Sequence, residues 1–510
     1  MLPLDFEVCR KARLSRDPRF DGTFFTAVKT TGIFCRSICP ATPPKEINVT
    51  YFTTATEAAS AGYRPCLRCR PDSAPGSPAW KGVNTTLERA IALINDGALQ
   101  QHSLTELSER LGVSERYVRK LFNTHLGTSP KTYALYQQCL FAKQLLHQTQ
   151  LPITEIALAS GFNSVRRFND CFKKQMQLTP SAIRRSAKNM SVNNGALHTL
   201  QLQLHYRPPY HWQHMQRFLR ARAIPQLEWC TDNSYGRTFE WPSSYDSGSY
   251  GYFTAYHVAD KHCFTVDISV NEVTHLKSIV NNIRRILDLD ADTRRIENDL
   301  RAALFTEEKN IKKNTNKNTN ERNITTAITL LEAGLRLPGI WSVYEAGIRA
   351  ILGQQVSVTA AHRLVGTLVE VLGSGIDTEV DPGDENTSIK RLFPTPASLA
   401  NNEIDFFKMP ASRKQTLRNL SQHYLSQEGL TQRCVNLLQN DQPDDWQSLK
   451  GIGPWTINYA KLRGQSNPDI FLGGDLGIKK ALELFDKPLA TDNASPWRSY
   501  LTMHLWNMLY

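Results

Sequence analysis

Residues 448–460 read Ser-Leu-Lys-Gly-Ile-Gly-Pro-Trp-Thr-Ile-Asn-Tyr-Ala, a Gly-x-Gly turn that leads into a predicted helix. Gly451 and Gly453 carry no side chain, so their backbone N–H groups can lie close to a phosphate at the helix N-terminus. A Gly-x-Gly motif is short, and its interpretation depends on the residues around it. The motif therefore indicates a candidate phosphate-binding site, whose function depends on the flanking residues.

Downstream of this turn the chain reads Phe-Leu-Gly-Gly-Asp-Leu-Gly-Ile-Lys-Lys over residues 471–480. Asp475 lies in a Gly-flanked turn ahead of a predicted helix. Its carboxylate could reach a bound substrate, or it could simply cap the helix, and the residues alone leave both readings open. The nearby Trp455 and Tyr459 could line a site or pack in a core.

Together these residues resemble the helix-hairpin-helix DNA glycosylases, and specifically the 3-methyladenine DNA glycosylase II (AlkA) family. Similar segments extend over residues 204–510, including Gly-Ile-Arg-Ala-Ile-Leu-Gly-Gln-Gln-Val-Ser from position 347. The resemblance implies that alkylated bases of the 3-methyladenine type are flipped out of the duplex and released by hydrolysis. It also implies that Asp475 is the catalytic carboxylate that stabilises the oxocarbenium-like sugar.

The same resemblance implies a pocket of electron-rich rings on which a cationic alkylated purine stacks. By family match its residues are Phe218, Trp455, Tyr459 and Trp506. The implied DNA contacts in this half are Gln354, Gln355, Gly451 and Gly453. The sequence departs from the family pattern at two places: Gln355 replaces the usual duplex-wedging Leu, and Leu476 replaces an aromatic pocket residue.

Two absences narrow the expected chemistry. Trp455 occupies the position at which bifunctional relatives carry a Schiff-base lysine, so strand cleavage is not expected. No Cys-x6-Cys-x2-Cys-x5-Cys set occurs near the C-terminus, so no iron–sulfur cluster is expected. We therefore expect a monofunctional glycosylase.

An internal repeat organises residues 84–186, which are predicted to be almost entirely helical. Leu-Thr-Glu-Leu at 104–107, followed by Gly112, recurs 49 residues later as Ile-Thr-Glu-Ile, followed by Gly161. Each copy predicts a short helix, a glycine turn and a second helix. Basic residues lie on the early turns of the two second helices, at Arg116, Arg119, Arg166 and Arg167.

The early turns of such a second helix are where a recognition helix meets base edges in the major groove. Two units about 50 residues apart resemble the AraC family of bacterial regulators. The resemblance implies binding to specific DNA, such as a promoter, and RNA polymerase as a further partner. The alternative is a plain helical bundle with solvated charges.

Four cysteines are grouped as Cys35-x3-Cys39 and Cys66-x2-Cys69. Two short pairs can supply four thiolates to one zinc ion, and such closed sites are often only structural. The surrounding residues over about 5–75 resemble the N-terminal domain of the Ada family. That resemblance implies that zinc-bound Cys35 accepts a methyl group from a DNA methylphosphotriester, with the other three cysteines as supporting ligands.

Charge is distributed unevenly along the 510 residues. Residues 1–190 hold 26 basic and 14 acidic residues, whereas residues 191–510 hold 34 of each. A basic region of this size favours a polyanionic partner such as DNA. No apolar run reaches 18 residues and no secretory signal is apparent, so we expect a cytoplasmic protein with no membrane partner.

We therefore expect a multidomain α+β chain. Its predicted parts are an Ada-like zinc domain (1–76), an all-α double helix-turn-helix domain (84–186), an α+β N-terminal glycosylase subdomain (200–300) and an all-α helix-hairpin-helix domain (301–510). Linkers are predicted at 72–79 and 187–196, and a disordered insertion at 309–323. The implied function is a bacterial alkylation-damage response. Two alternatives remain: a methylation-sensing regulator with an inactive glycosylase half, and a glycosylase with a purely structural zinc knot.

Overall fold

A computed structural model describes most of the chain. The described residues are 6–16, 20, 22–39, 41–66, 69, 71, 85–95, 97–184, 197–241, 248–305, 330–376, 390–430, 443–485 and 488–509. Both predicted linkers and the predicted insertion lie outside them. Within these ranges no helix is long and apolar enough to cross a membrane.

A small mixed sheet forms the N-terminal module. Its elements are α1 (Phe6–Leu14), β1 (Phe25–Val28), β2 (Ile33–Arg36), β3 (Val49–Phe52), α2 (Ala55–Ser60) and β4 (Arg64–Pro65). The strand order is β3-β1-β2-β4, with β1 antiparallel to both neighbours and β4 parallel to β2. The β2–β4 pairing places Cys35 and Cys66 at the same end of the sheet.

The next module is all helical, as the repeat predicts. Its helices are α3 (Thr85–Asn95), α4 (Ala98–Gln101), α5 (Leu104–Leu111), α6 (Glu115–Leu126), α7 (Pro130–Gln148), α8 (Ile153–Ala159), α9 (Val165–Met176) and α10 (Pro180–Arg184). Helices α6 and α9 each begin after a serine, Ser114 or Ser164, whose hydroxyl accepts a backbone N–H of the first turn. These N-caps fix where each second helix of the repeat starts.

A five-stranded antiparallel sheet follows, in the order β5-β9-β8-β7-β6. Its strands are β5 (His198–His205), β6 (Glu228–Cys230), β7 (Ser234–Trp241), β8 (Ser249–Val258) and β9 (Cys263–Val270), and its helices are α11 (Trp212–Arg220), α12 (Leu276–Ile286) and α13 (Thr293–Phe305). The alternation predicted around 264–270 and 201–206 corresponds to β9 and β5. Both strands are buried on one face against a large shared core.

The helical module packs directly on the edge strand β5. Gln144 of α7 donates its side-chain amide to the Gln203 carbonyl at 3.2 Å, and Gln148 accepts the Gln203 backbone N–H at 2.9 Å. Asn281 of α12 also donates to the Asn95 carbonyl at 3.0 Å. Residues of α7 and of β5 share one apolar cluster, so the two modules are joined by a common core.

The C-terminal half is mainly helical and contains two further apolar clusters. Its elements are α14 (Val343–Leu352), α15 (Val358–Leu372), β10 (Gly375–Ile376), β11 (Lys390–Arg391), α16 (Pro396–Asn401), α17 (Ala411–Leu430), α18 (Pro454–Tyr459), α19 (Leu476–Leu482) and α20 (Arg498–Asn507). A π-helical turn, Ala460–Gly464, extends α18. The predicted multidomain α+β class is confirmed.

Buried ion pairs fasten α14 to the five-stranded sheet. Glu345 accepts from Arg237 at 2.8 Å and from Arg349 at 2.6 Å, and Arg349 also bonds Glu228 at 2.9 Å. Buried charges are tolerated only when every one is paired. The network therefore holds the sheet and α14 in one fixed arrangement behind the site described next.

Candidate functional site

A cavity of about 1020 Å³ opens between α14, α15, α18 and the N-terminus of α19. Six residues predicted from the sequence line this cavity. They are Asp475, Trp455, Tyr459, Trp506, Gln354 and Gln355. Leu476 is 74% exposed beside Asp475. The structure thus brings together a carboxylate and three aromatic rings from segments that are far apart in sequence.

Asp475 caps α19, and it also lines the cavity. Its Oδ1 accepts the backbone N–H groups of Gly477 at 2.9 Å and Ile478 at 3.2 Å. The same oxygen accepts the indole N–H of Trp506 at 3.0 Å, and Oδ2 accepts that of Trp455 at 3.3 Å. Four N–H donors hold the carboxylate in one orientation.

The aromatic residues form two stacked pairs. Trp455 and Tyr459 stack with ring centroids 5.3 Å apart, and Phe218 stacks on Trp506 at 6.2 Å. Phe218 is buried and is not among the residues that border the cavity. The Arg222 guanidinium lies 3.8 Å from its ring centroid and does face the cavity. The structure therefore places Phe218 behind Arg222 rather than on the cavity surface.

The hairpin at 448–453 adopts the conformation that its glycines allow. Gly451 has φ +92°, and a Cβ there would meet Thr416 Oγ1 at 2.0 Å. Gly453 caps α18. The Gln354 side chain, in the turn after α14, donates to the Gly451 carbonyl at 3.2 Å and so braces the hairpin. Gln355 is exposed, with a left-handed φ of +57°.

Basic side chains of the cavity were not found from the sequence. They are Arg222, Arg349, Arg463 and Lys480. Arg463 lies on the π-helical turn, with its guanidinium 4.7 Å from the Phe218 ring centroid. No local pattern marks these residues, because they converge from different elements. Arg349 is already paired with Glu228 and Glu345, so Arg222, Arg463 and Lys480 supply the positive charge that lines the cavity with Asp475.

The four cysteines of the N-terminal module converge. The Sγ atoms of Cys35, Cys39, Cys66 and Cys69 all lie within 4.8 Å of one another. Zinc bound by four thiolates at about 2.3 Å requires such a spacing. Cys66 and Cys69 are buried, whereas Cys35 and Cys39 are half-buried, and Cys35, Cys39 and Cys66 border one cavity.

The electrostatics of this cluster suit a cation. The Cys35 thiol donates hydrogen bonds to Cys39, Cys66 and Cys69, and these bonds together with burial raise the pKa of Cys35. The hydrogen bond that Cys39 accepts from Cys35 lowers the pKa of Cys39 to about 7. Without a cation the four groups cannot all be thiolates. A cavity of about 490 Å³ adjoins Cys35 and is lined by four arginines: Arg13, Arg16, Arg36 and Arg64.

The predicted DNA-contacting arginines of the helical module lie on the surface. Arg116 and Arg119 project from α6, and Arg166 and Arg167 from α9, all exposed. Arg119 also pairs with Glu115 at 3.2 Å. All four are on the first two turns of their helices, as the repeat predicts.

The zinc-site module contacts both halves of the helical module. Gln177, which ends α9, donates to the Gly62 carbonyl at 2.6 Å. Ser60 bonds Thr128, beyond the end of α6, at 3.2 Å. Gly62 precedes β4 and hence Cys66. Hydrogen bonds therefore connect the module that carries the cysteine cluster to the residues that follow α6 and α9, the second helices of the two repeat units.

These sites and folds define a multidomain DNA-handling protein with a metal-binding cysteine module, a helix-turn-helix module and a glycosylase-type half. Family models agree: the metal binding domain of Ada matches residues 8–72, a helix-turn-helix domain matches 107–186, and the AlkA N-terminal domain matches 201–318. With the cysteine cluster, the first match identifies a zinc site.

Whole-chain similarity is also clear. A probable bifunctional transcriptional activator/DNA repair enzyme AlkA of Mycobacterium tuberculosis is 33% identical over 521 residues, covering 99% of this chain and 97% of the relative. The chain belongs to this family of fused activator and repair proteins, which confirms the predicted Ada, AraC-type and AlkA resemblance.

Two shorter relatives match separate parts of the chain. DNA-3-methyladenine glycosylase 2 of Escherichia coli is 29% identical over 59% of this chain and 95% of its own length. The bifunctional transcriptional activator/DNA repair enzyme Ada of the same organism is 30% identical over 35% of this chain and 49% of its own length.

Proposed function

We propose that the chain excises alkylated bases of the 3-methyladenine type from DNA, accepts methyl groups from DNA methylphosphotriesters and binds specific DNA as a regulator. The observation that carries the first activity is the Asp475 carboxylate, held by four N–H donors at the wall of an aromatic cavity. The names of the relatives support all three roles.

Base release follows from the placement of these groups. A flipped alkylated purine enters the cavity and stacks against Trp455 and Tyr459. The N-glycosidic bond breaks, the bonding electrons leave with the base, and the sugar becomes cationic. The fixed Asp475 carboxylate stabilises this charge and helps a water molecule to add. Because the carboxylate is already oriented, little reorganisation is needed as charge develops.

Methyl transfer uses the half-buried Cys35. Its sulfur attacks the methyl carbon of the phosphotriester, an S–C bond forms, the C–O bond breaks, and the phosphodiester leaves as an anion. Bound zinc supplies the positive charge that keeps the four thiolates together at neutral pH. The arginines of the adjoining cavity attract the flanking phosphates. Loss of one negative charge from the cluster then raises DNA affinity.

The glycosylase is tested by release of free 3-methyladenine from methylated duplex DNA. Wild type is compared with Asp475→Asn and with Asp405→Asn, which alters an exposed carboxylate that does not line the cavity. Release that disappears only in Asp475→Asn supports the assignment. Release that survives means that another residue is catalytic, and no release by folded wild type favours the regulator with an inactive glycosylase half.

The methyl acceptor is tested with a duplex that carries one methylphosphotriester. We expect wild type to take up one methyl group per chain, on Cys35, and Cys35→Ser to take up none. If wild type also takes up none, a purely structural zinc knot is supported. Metal analysis should give one zinc and no iron per chain. Promoter DNA and RNA polymerase are proposed partners, supported by the activator role in the relatives' names, and the cytoplasm is the proposed location.

A further inference from the structure

A second pair of thiols lies in the helical module, apart from the zinc site. Cys139 of α7 has no exposed surface, and Cys171 of α9 is half-buried. The two thiols are hydrogen bonded to each other. The pair therefore connects the central helix of the module to the helix that carries Arg166 and Arg167.

Cys171 has the surroundings of a reactive thiol. Its hydrogen bond with Cys139 and the charges of Arg167 and Lys174 outweigh the opposing effects of burial and Asp170, and together they lower the pKa of Cys171 to about 7. A substantial fraction of this thiol is therefore thiolate at neutral pH. A cavity of about 390 Å³ adjoins it, so a small solute can reach the sulfur.

We propose that Cys171 and Cys139 are a peroxide-sensitive dithiol that closes to a disulfide between α9 and α7. The Cys171 thiolate attacks one oxygen of a hydroperoxide, the O–O bond breaks, and Cys171 sulfenic acid and hydroxide form. The Cys139 thiol loses its proton, its sulfur attacks the sulfenic sulfur, and water leaves. Two thiols lose two electrons in total, and one peroxide is reduced.

The disulfide acts on the DNA-binding surface of the second unit. It removes the thiolate charge one turn after Arg167, and it ties α9 to the buried helix behind it. A reductant such as dithiothreitol reverses both changes. The site is distinct from methyl transfer at Cys35, because it responds to oxidants and lies on the helix that presents the arginines.

Peptide mapping of the full zinc-loaded chain tests the proposal. The protein is treated with about one equivalent of hydrogen peroxide at pH 7. Trypsin releases Cys139 in peptide 132–143 and Cys171 in peptide 168–173, and neither contains another cysteine. We expect these two peptides to be linked, with a mass 2 Da below their sum, as expected for loss of two hydrogens.

Cys230 is the matched control. It is also half-buried, but burial raises its pKa, so its thiolate fraction at pH 7 is small. We expect Cys171 to oxidise at least about 5-fold faster, because its larger thiolate fraction outweighs the lower nucleophilicity of a low-pKa thiolate. In Cys139→Ser, the Cys171 sulfenic acid persists and is trapped by dimedone, whereas Cys230→Ser leaves the disulfide yield unchanged.

Two results overturn the proposal. One is the absence of linked peptides in wild type after peroxide treatment that oxidises other cysteines. The other is oxidation of Cys230 as fast as Cys171. Both are read from wild-type protein, so they decide the matter even if Cys139→Ser fails to fold.

Discussion

The indole N–H of Trp506 donates a 3.0 Å hydrogen bond to Oδ1 of Asp475, across 31 residues of sequence. Trp455 donates to the other carboxylate oxygen from α18. The rings that form the cavity wall therefore also fix the carboxylate. A base that stacks there meets a charged group whose position is set before it arrives.

Trp506→Phe should lower single-turnover release of 3-methyladenine by about 10-fold. The change keeps an aromatic ring but removes a hydrogen bond to a charged group, worth about 1.5 kcal/mol or somewhat more. Trp497→Phe is the control, because it loses a similar 3.0 Å bond to the Asp299 carboxylate outside the cavity. An equal loss in both variants would point to a general effect on folding.

Gln355→Leu should raise base release from duplex DNA severalfold and leave release from single-stranded DNA unchanged. Gln355 is exposed at the cavity mouth, and an apolar side chain fills the gap left by a flipped base without retaining water. The control is Val356→Leu, an aliphatic enlargement at the neighbouring position. Equal acceleration on both substrates would exclude a role in opening the duplex.

Arg166→Gln with Arg167→Gln should weaken binding to duplex DNA and flatten its salt dependence. Each lost phosphate contact reduces the slope of log K against log salt by about 0.9. Fluorescence anisotropy at several salt concentrations measures the slope. Lys261→Gln, an exposed charge between β8 and β9, should leave it unchanged, and an unaltered slope in the double variant would mean that α9 does not face the phosphates.

Acid should destabilise the fold below about pH 6.5. Burial lowers the pKa of His214 and of His504 to about 3, and that of His257 to about 4. Because these folded-state values lie below the usual 6.5, their stabilising contribution is complete above pH 6.5 and is lost as the pH falls toward 3. Asp288 acts in the opposite direction, since burial raises its pKa to about 7 from 3.8.

The large pKa shifts of the three histidines outweigh Asp288 together with Glu240 and Glu297, whose pKa values burial also raises, so the net effect is a loss of stability. Thermal unfolding at pH 7.5, 5.5 and 4.5 should show a falling Tm, and a constant Tm would contradict the assignment of buried neutral histidines. Zinc retention must be followed in the same samples, because protonation of its thiol ligands is a separate cause of unfolding.

The parts of the site that the sequence predicted are those with short, regular spacing. The Cys35–Cys39 and Cys66–Cys69 pairs and the 49-residue repeat are local patterns, so their geometry follows from the chain itself. Asp475 and its tryptophans required a family pattern. Arg222 and Arg463 were missed because they reach the cavity from separate elements, and no periodicity encodes such convergence.

The position of Phe218 shows the same limit. Its family match places it in the base pocket, yet the ring lies under the Arg222 guanidinium. Whether an aromatic ring is reached by a ligand depends on the side chains that cover it. For Phe218, this depends on how α11 packs against α20 and on Arg222, which follows α11.

The pairing of α7 with β5 also affects how the protein behaves at high concentration. An edge strand with free backbone N–H and C=O groups is a template for strand addition by another molecule, and hence for aggregation. Gln144 and Gln148 occupy both groups of Gln203 at the centre of that edge. The helix-turn-helix module thus covers this part of the β5 edge, and separating the two modules would expose backbone groups that can pair with a strand of another molecule.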